Sequence, residues 1–174
     1  MQLDLAILLA SADAICGEDQ RMKVEALMNP RVKSAGTDAS VADVVLIMEK
    51  NDCGTVPILN KANKLVGIVT DRDICLALGF RPLPAAGIPI TEVMSKKVYA
   101  CSPEEDVSAA LQTMRQRKIR RLPVLDANGR LVGILSMDDV VLCAEDHFGE
   151  TVKTLKAIYR RSVSKKETGV RLEA

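Results

Sequence analysis

Aromatic side chains are almost absent: the chain has two Tyr, two Phe and no Trp. Its interior must therefore be aliphatic, and stacking platforms for single-stranded nucleic acid have little to be built from. Histidine occurs once, as His147, and the five cysteines (Cys16, Cys53, Cys75, Cys101, Cys143) are scattered with no CxxC pair. That spacing argues against a zinc cluster. Free, mostly buried thiols in a reducing cytoplasm are expected, a disulfide between two of them being the alternative. Cys75 and Cys143 read as core. Charge of one sign is also lacking, since the formal net charge is +1, and no global field steers the protein toward nucleic acid or an anionic membrane. Any anion site must be local. The apolar stretch 3–14 carries Asp4, has no basic lead-in and falls short of the ~20 residues that span a bilayer. It is expected to be a helix packed on the body, or part of an extension ahead of a start at Met22.

What the chain does have is an internal repeat. Shifting the sequence by sixty-six positions aligns 26–78 with 92–144 without a gap. Met28 meets Met94, Val41 meets Val107, Met48 meets Met114 and Pro57 meets Pro123. The run Leu65-Val66-Gly67-Ile68 meets the identical Leu131-Val132-Gly133-Ile134, and Asp73 falls on Asp139. Each copy predicts the same elements. A short extended piece (32–35, 98–101) precedes a helix with Val41, Val44, Val45 and Met48 on one face, matched by Val107, Ala110, Leu111 and Met114. In the second copy Ser102-Pro103-Glu104-Glu105 predicts a capping box, with Ser at N-cap and Pro at N1. Apolar runs at 55–59 and 65–70, and again at 121–125 and 131–136, predict hairpins. A closing helix starts at Asp71 and at Asp138.

The expected fold is α+β: two β-α-β-β-α repeats packed around a pseudo-twofold axis, because a unit of ~55 residues buries little core alone. The expected division is an N-terminal helical extension (1–22), a first domain (23–79), a Gly- and Pro-rich linker (80–89), a second domain (90–144), and a C-terminal helix and tail (145–174). Phe148, Val152, Leu155 and Tyr159 recur at helical spacing in that last segment.

Each hairpin runs into a small constellation, Gly67-Ile-Val-Thr70-Asp71-Arg72-Asp73 and Gly133-Ile-Leu-Ser136-Met137-Asp138-Asp139. A hydroxyl at a strand-to-helix junction can donate to a phosphate, where backbone N–H groups favour anions. An Asp three residues on can accept the hydroxyls of a ribose. The same spacing also makes an ordinary helix cap, and both readings stand at this point. Basic residues cluster at Arg115, Arg117, Lys118, Arg120 and Arg121. The first three also suit a helix C-terminus, whose dipole favours cations.

The Val-Gly-Ile-x-(Thr/Ser)-x-x-Asp ends, the Val-Pro-Ile and Leu-Pro-Val strands and the element order together resemble cystathionine-β-synthase-like (CBS) domains, over residues 24–144. In particular, the chain is similar to small stand-alone proteins made of one CBS pair, or Bateman module. The resemblance implies a sensor that holds adenosine-containing ligands in clefts between the repeats, with no catalysis and no required cofactor. It implies that the ribose is held by Asp73 or Asp139 and that the phosphates lie near Thr70 or Ser136. The adenine would be clasped by Val24, Met28 and Val56, or by Ile90, Thr91, Met94 and Leu122, beside Pro57 and Pro123. Arg120 and Arg121 resemble the phosphate-contacting basic pair in the regulatory γ subunit of AMP-activated kinase.

The copies differ in charge. Arg72 is replaced by Asp138, and Gly54-Thr55 by Arg120-Arg121. Unequal clefts are expected, the Thr70/Asp73 one being the better nucleotide site, with Arg120 or Arg121 as candidates to reach in. The ligand would be AMP, ADP, ATP or a related adenosyl compound, in a cytoplasmic homodimer without membrane or nucleic-acid partners. The alternatives are a ligand-free, homodimeric interaction or stress-associated protein, whose Asp motifs only cap helices, and nucleic-acid binding through 115–121. His147 reads as structural.

Overall fold

The computed structural model describes residues 22–143. The predicted helices at 3–14 and 148–159, together with Cys16 and His147, lie outside the described residues. The elements in order are α1 (Val24–Leu27), β1 (Ala35–Gly36), α2 (Val41–Asn51), β2 (Thr55–Leu59), β3 (Leu65–Thr70), α3 (Asp71–Phe80), two 3-10 turns (Ala85–Gly87, Ile90–Glu92), α4 (Val107–Arg117), β4 (Arg121–Leu125), β5 (Leu131–Ser136) and α5 (Met137–Cys143). The class is α+β, and all four hairpin strands fall where the apolar runs predict them.

In the first repeat β1 pairs parallel to β2 (Ala35 with Ile58), and β2 pairs antiparallel to β3 (Thr55 with Thr70). The hairpin turn is built by Asn60, whose Oδ1 accepts the N–H groups of Ala62 and Lys64 at 2.9 and 3.0 Å. Asp126 does the same in the second repeat, accepting from Asn128 and Arg130 at 2.9 and 2.8 Å. These are side-chain mimics of a backbone turn. They leave the fourth turn residue in the left-handed region, at φ 56° for Asn63 and 70° for Gly129.

The second repeat departs from prediction in two places. Its leading segment forms no strand; a single bridge residue, Cys101, remains. In the first repeat Thr37 N–H extends the parallel ladder by donating to Leu59 O at 3.1 Å. The matching residue is Pro103, which has no N–H to give. The capping box predicted at Ser102 is also displaced. The helix begins at Val107 with Asp106 as N-cap, and Asp106 makes no side-chain cap bond. Carbonyls that an earlier start would need are already taken: Pro103 O by Glu25 N at 3.0 Å, and Glu105 O by Val24 N at 2.9 Å. Val107 N turns instead to Met22 O at 2.9 Å, and Lys23 Nζ holds the Asp106 carboxylate at 2.8 Å. The box sits instead in the first repeat, where Ser40 and Asp43 cap α2 reciprocally.

The chain divides into two compact units, and neither is a single sequence repeat. Among the described residues one unit holds 22–29, 101–122 and 135–143; the other holds 30–100 and 123–134. In the larger unit Val41, Val44, Val56, Ile58, Val69 and Ile74 form an aliphatic core with Ile88 and Ile90. The segment 80–89 thus delivers a core residue: Ile88 O accepts from Val41 N at 2.9 Å, and Ile90 N donates to Ala39 O at 3.0 Å. Ser95 exchanges both backbone bonds with Ile68, at 2.9 and 3.0 Å. The start of the second repeat is therefore stitched onto the sheet of the first. In the other unit Val24, Val107, Ala110, Met114, Leu122 and Leu135 are buried.

Two predicted core positions face outward. Val45 is 38% exposed, because the inward stripe of α2 runs through Val41, Val44 and Met48. Cys75 is exposed, because Ile74 takes the inward position on α3 and the next residue lies about 100° around the helix. Cys53 is half-buried, so of Cys53, Cys75 and Cys101 only Cys101 is buried.

Candidate functional site

Both repeats close on the same junction, in which an outer strand ends in a hydroxyl residue and runs into a helix. Thr70 N and Thr70 Oγ1 donate to Asp73 Oδ2 at 2.9 and 2.7 Å, and Asp73 N donates back to Thr70 Oγ1 at 3.3 Å. Ser136 and Asp139 repeat the arrangement at 2.8, 2.6 and 3.2 Å. Each is a reciprocal capping box, a feature worth about 1 kcal/mol to its helix. The hydroxyl proton is thereby committed to the carboxylate and does not donate outward to a phosphate. One carboxylate oxygen, Oδ2, carries all of these side-chain bonds. Oδ1 keeps two lone pairs, enough to accept the two hydroxyls of a ribose. Capping and ligand contact are thus compatible uses of the same residue.

Behind each junction the strand that starts the hairpin is tied to the helix start. Asp71 N donates to Gly54 O at 3.2 Å, and Met137 N to Arg120 O at 2.9 Å. Thr55 lies directly opposite Thr70 in the hairpin register. Its Oγ1 is buried and has no hydrogen-bond partner. Sequence reasoning passed over Thr55 because it carries no charge; the hairpin register is the signal that could have found it. Asp71 was passed over as well. Its carboxylate lies against Gly54, where an added Cβ would stand 2.9 Å from Asp71 Oδ2.

The two units sort the candidate residues. One unit contains Val24, Met28, Arg120, Arg121, Leu122, Ser136 and Asp139; the other contains Val56, Pro57, Thr70, Arg72, Asp73, Ile90, Thr91, Met94 and Pro123. Val56 therefore sits with Ile90, Thr91 and Met94, whereas Val24 and Met28 sit with Leu122, the reverse of the grouping expected from the repeats. Val24, Val56, Ile90 and Leu122 have no exposed surface, and Pro57 and Pro123 are buried. Met28, Thr91 and Met94 are half-buried and present surface. Arg120 and Arg72 are exposed and Arg121 is half-buried. Arg115 and Arg117 occupy the last turn of α4, with Lys118 as its left-handed cap at φ 54°.

Elsewhere, Cys101 is pushed up to about 12 by burial, with the negative charge of Glu105 adding to the shift. No described His, Cys, Asp and Glu residues group as metal ligands. No helix among the described residues is long and apolar enough to cross a membrane.

The sequence profile of the CBS domain matches residues 24–79 and again 90–146. The chain belongs to the CBS domain family. Its tandem copies make it a CBS domain pair, a kind of regulatory module. It is 30% identical over 119 residues to the CBS domain-containing protein YhcV of Bacillus subtilis, a match covering 68% of this chain and 83% of that protein. Inosine-5'-monophosphate dehydrogenase of Methanocaldococcus jannaschii is 26% identical over 119 residues, covering 68% of this chain but 23% of the enzyme. Among solved structures, the CBS domain pair of protein MJ0100, in complex with 5'-methylthioadenosine and S-adenosyl-L-methionine, superposes with a TM-score of 0.63 at 27% identity. That match covers 70% of this chain and 94% of the other.

Proposed function

We propose that this CBS pair is a cytoplasmic regulatory module that binds an adenosine-containing ligand at its Thr70–Asp73 and Ser136–Asp139 junctions and performs no catalysis. Residues 23–79 and 90–144 serve as its domains and 80–89 as the connection between them. The observation that carries the reading is the doubled junction, in which one carboxylate oxygen caps the helix and the other is left to accept from a ligand. The adenosyl ligands of the MJ0100 pair support the ligand class. The dehydrogenase is matched over 23% of its length, which supports reading the matched segment as a module separable from a catalytic part.

The test is a thermal-shift series on the full chain with adenosine, AMP, ADP, ATP, 5'-methylthioadenosine and S-adenosylmethionine. Ligand at ~100 times its dissociation constant stabilises by roughly 2.7 kcal/mol, which for a chain of this size raises Tm by about 5–11 °C. Asp73→Asn and Asp139→Asn together should abolish the shift. No shift with any of these compounds defeats the proposal.

A second reading, a homodimeric interaction protein, is favoured by one observation. The larger unit exposes Leu46, Leu76, Phe80 and Leu83, with Phe80 83% exposed. Sedimentation of wild type against Phe80→Ser reads it, and a monomeric wild type would refute it.

A further inference from the structure

The two junctions share a hydrogen-bonding plan and differ in charge at the hairpin start and over the first two helical residues. At the hairpin start the first has Gly54-Thr55 and the second Arg120-Arg121. At the first helical residue the first has Asp71 and the second Met137. These positions are in contact, since the Asp71 carboxylate lies against Gly54 and each helix start donates to the strand-start carbonyl. Arg72 is matched by Asp138, so the differing positions carry no net charge at the first junction (Asp71 against Arg72) and +1 at the second (Arg120 and Arg121 against Asp138). Gly54 is what lets the carboxylate settle there: with a Cβ 2.9 Å from Oδ2, any larger residue would displace it. Asp71 Oδ1 also accepts the Arg72 N–H at 2.8 Å, which fixes the carboxylate at the helix start. Thr55, in the place of Arg121, brings a neutral hydroxyl that is 6% exposed and unpartnered. Its side chain lies on the same face of the hairpin as Thr70, directly across the pair.

Building on the adenosyl-binding reading, we infer that the two junctions select ligands by charge. The Thr70–Asp73 junction takes adenosyl compounds that carry no phosphate, neutral or cationic, and the Ser136–Asp139 junction takes phosphorylated ones. A phosphate at the first junction meets the Asp71 carboxylate, a like charge that disfavours it. A neutral or cationic substituent meets no such penalty, and Thr55 Oγ1 offers it a donor and an acceptor. At the second junction the Arg120-Arg121 pair suits phosphate oxygens. This reverses the ranking that Arg72 suggests, because Asp71 beside Arg72 offsets its charge, whereas Arg120 and Arg121 outnumber Asp138.

The probes are adenosine and AMP, which differ only in the phosphate, titrated calorimetrically into the full chain. In an Asp139→Ala background, which disables the second junction, adenosine should bind and AMP should bind at least about tenfold more weakly. Adding Asp71→Asn should narrow that gap by about tenfold, the scale of removing one nearby like charge at a partly solvated site. In the otherwise wild-type chain, the exchange Arg120→Gly with Arg121→Thr should weaken AMP by about tenfold or more and leave adenosine unchanged, an independent reading should Asp139→Ala unfold. AMP binding the Asp139→Ala chain as tightly as adenosine, or an adenosine-to-AMP ratio indifferent to Asp71→Asn, overturns the charge selection while leaving adenosyl binding intact. Failure of the wild type to bind either probe overturns both.

Discussion

Replacing Gly67 by Ala tests how firmly the second repeat's leading segment is fastened to the first repeat's sheet. A Cβ at Gly67 would fall on Met94 Sδ, 2.9 Å from Met94 Cγ and 3.2 Å from Met94 Cβ. The thioether can swing aside by rotation, but Met94 Cβ moves only with its backbone. That backbone is held next door by the two Ser95–Ile68 bonds at 2.9 and 3.0 Å. Overpacking that a side chain cannot relieve costs about 1–3 kcal/mol. For a protein of 150–250 residues each kcal/mol lowers Tm by about 2–4 °C, so a loss near 2 kcal/mol gives about 4–8 °C. Met94→Ala removes Sδ and Cγ, and should relieve most of the clash. In a double-mutant cycle by urea denaturation, Gly67→Ala with Met94→Ala should be less destabilised than the sum of the singles by about 1 kcal/mol or more. Gly79→Ala is the control of opposite sign. It lies within α3 with nothing within 4 Å of an added Cβ, and should stabilise by about 0.5–1 kcal/mol. An unchanged Tm for Gly67→Ala, or strict additivity in the cycle, would refute the close approach of these two segments.

Two further outcomes follow from local chemistry. With its thiol at about 12, Cys101 is ionised to roughly one part in ten thousand at pH 8. Iodoacetamide should therefore label the exposed Cys75 in the native protein and reach Cys101 only after unfolding, as peptide mass spectrometry would show; rapid native labelling of Cys101 would contradict its burial. Asp43 is held below the usual carboxylate range by the side-chain and backbone hydrogen bonds from Ser40. A depressed folded-state pKa stabilises above the unfolded-state pKa and is lost as pH falls through the folded value. The stability gap between wild type and Asp43→Asn should hold at neutral pH and close as pH falls through and below the usual carboxylate range; a gap that widens on acidification would reverse the sign of the argument.

The repeat, the hairpins and the junction motif are legible from the residues alone, because each is a local pattern. Alternating or continuous apolar runs bounded by Asn60 or Asp126 turns need no distant partner to be recognised, and Thr70-x-x-Asp73 announces a cap within its own four residues. The fold family was legible for the same reason. How these pieces are shared out depends on long-range contacts. The carbonyls of Pro103 and Glu105 are taken by the N–H groups of Glu25 and Val24, which moves the start of α4 from Ser102 to Asp106. Ile88, in a segment that reads as linker, fills the first repeat's core, and Ser95 pairs with Ile68, so each compact unit takes chain from both repeats. Periodicity records which face of an element is apolar, but not what will cover it. The same limit hid Asp71 and Thr55: one matters through its contact with Gly54 and the other through its register opposite Thr70. Neither relation exists until strand and helix are brought together.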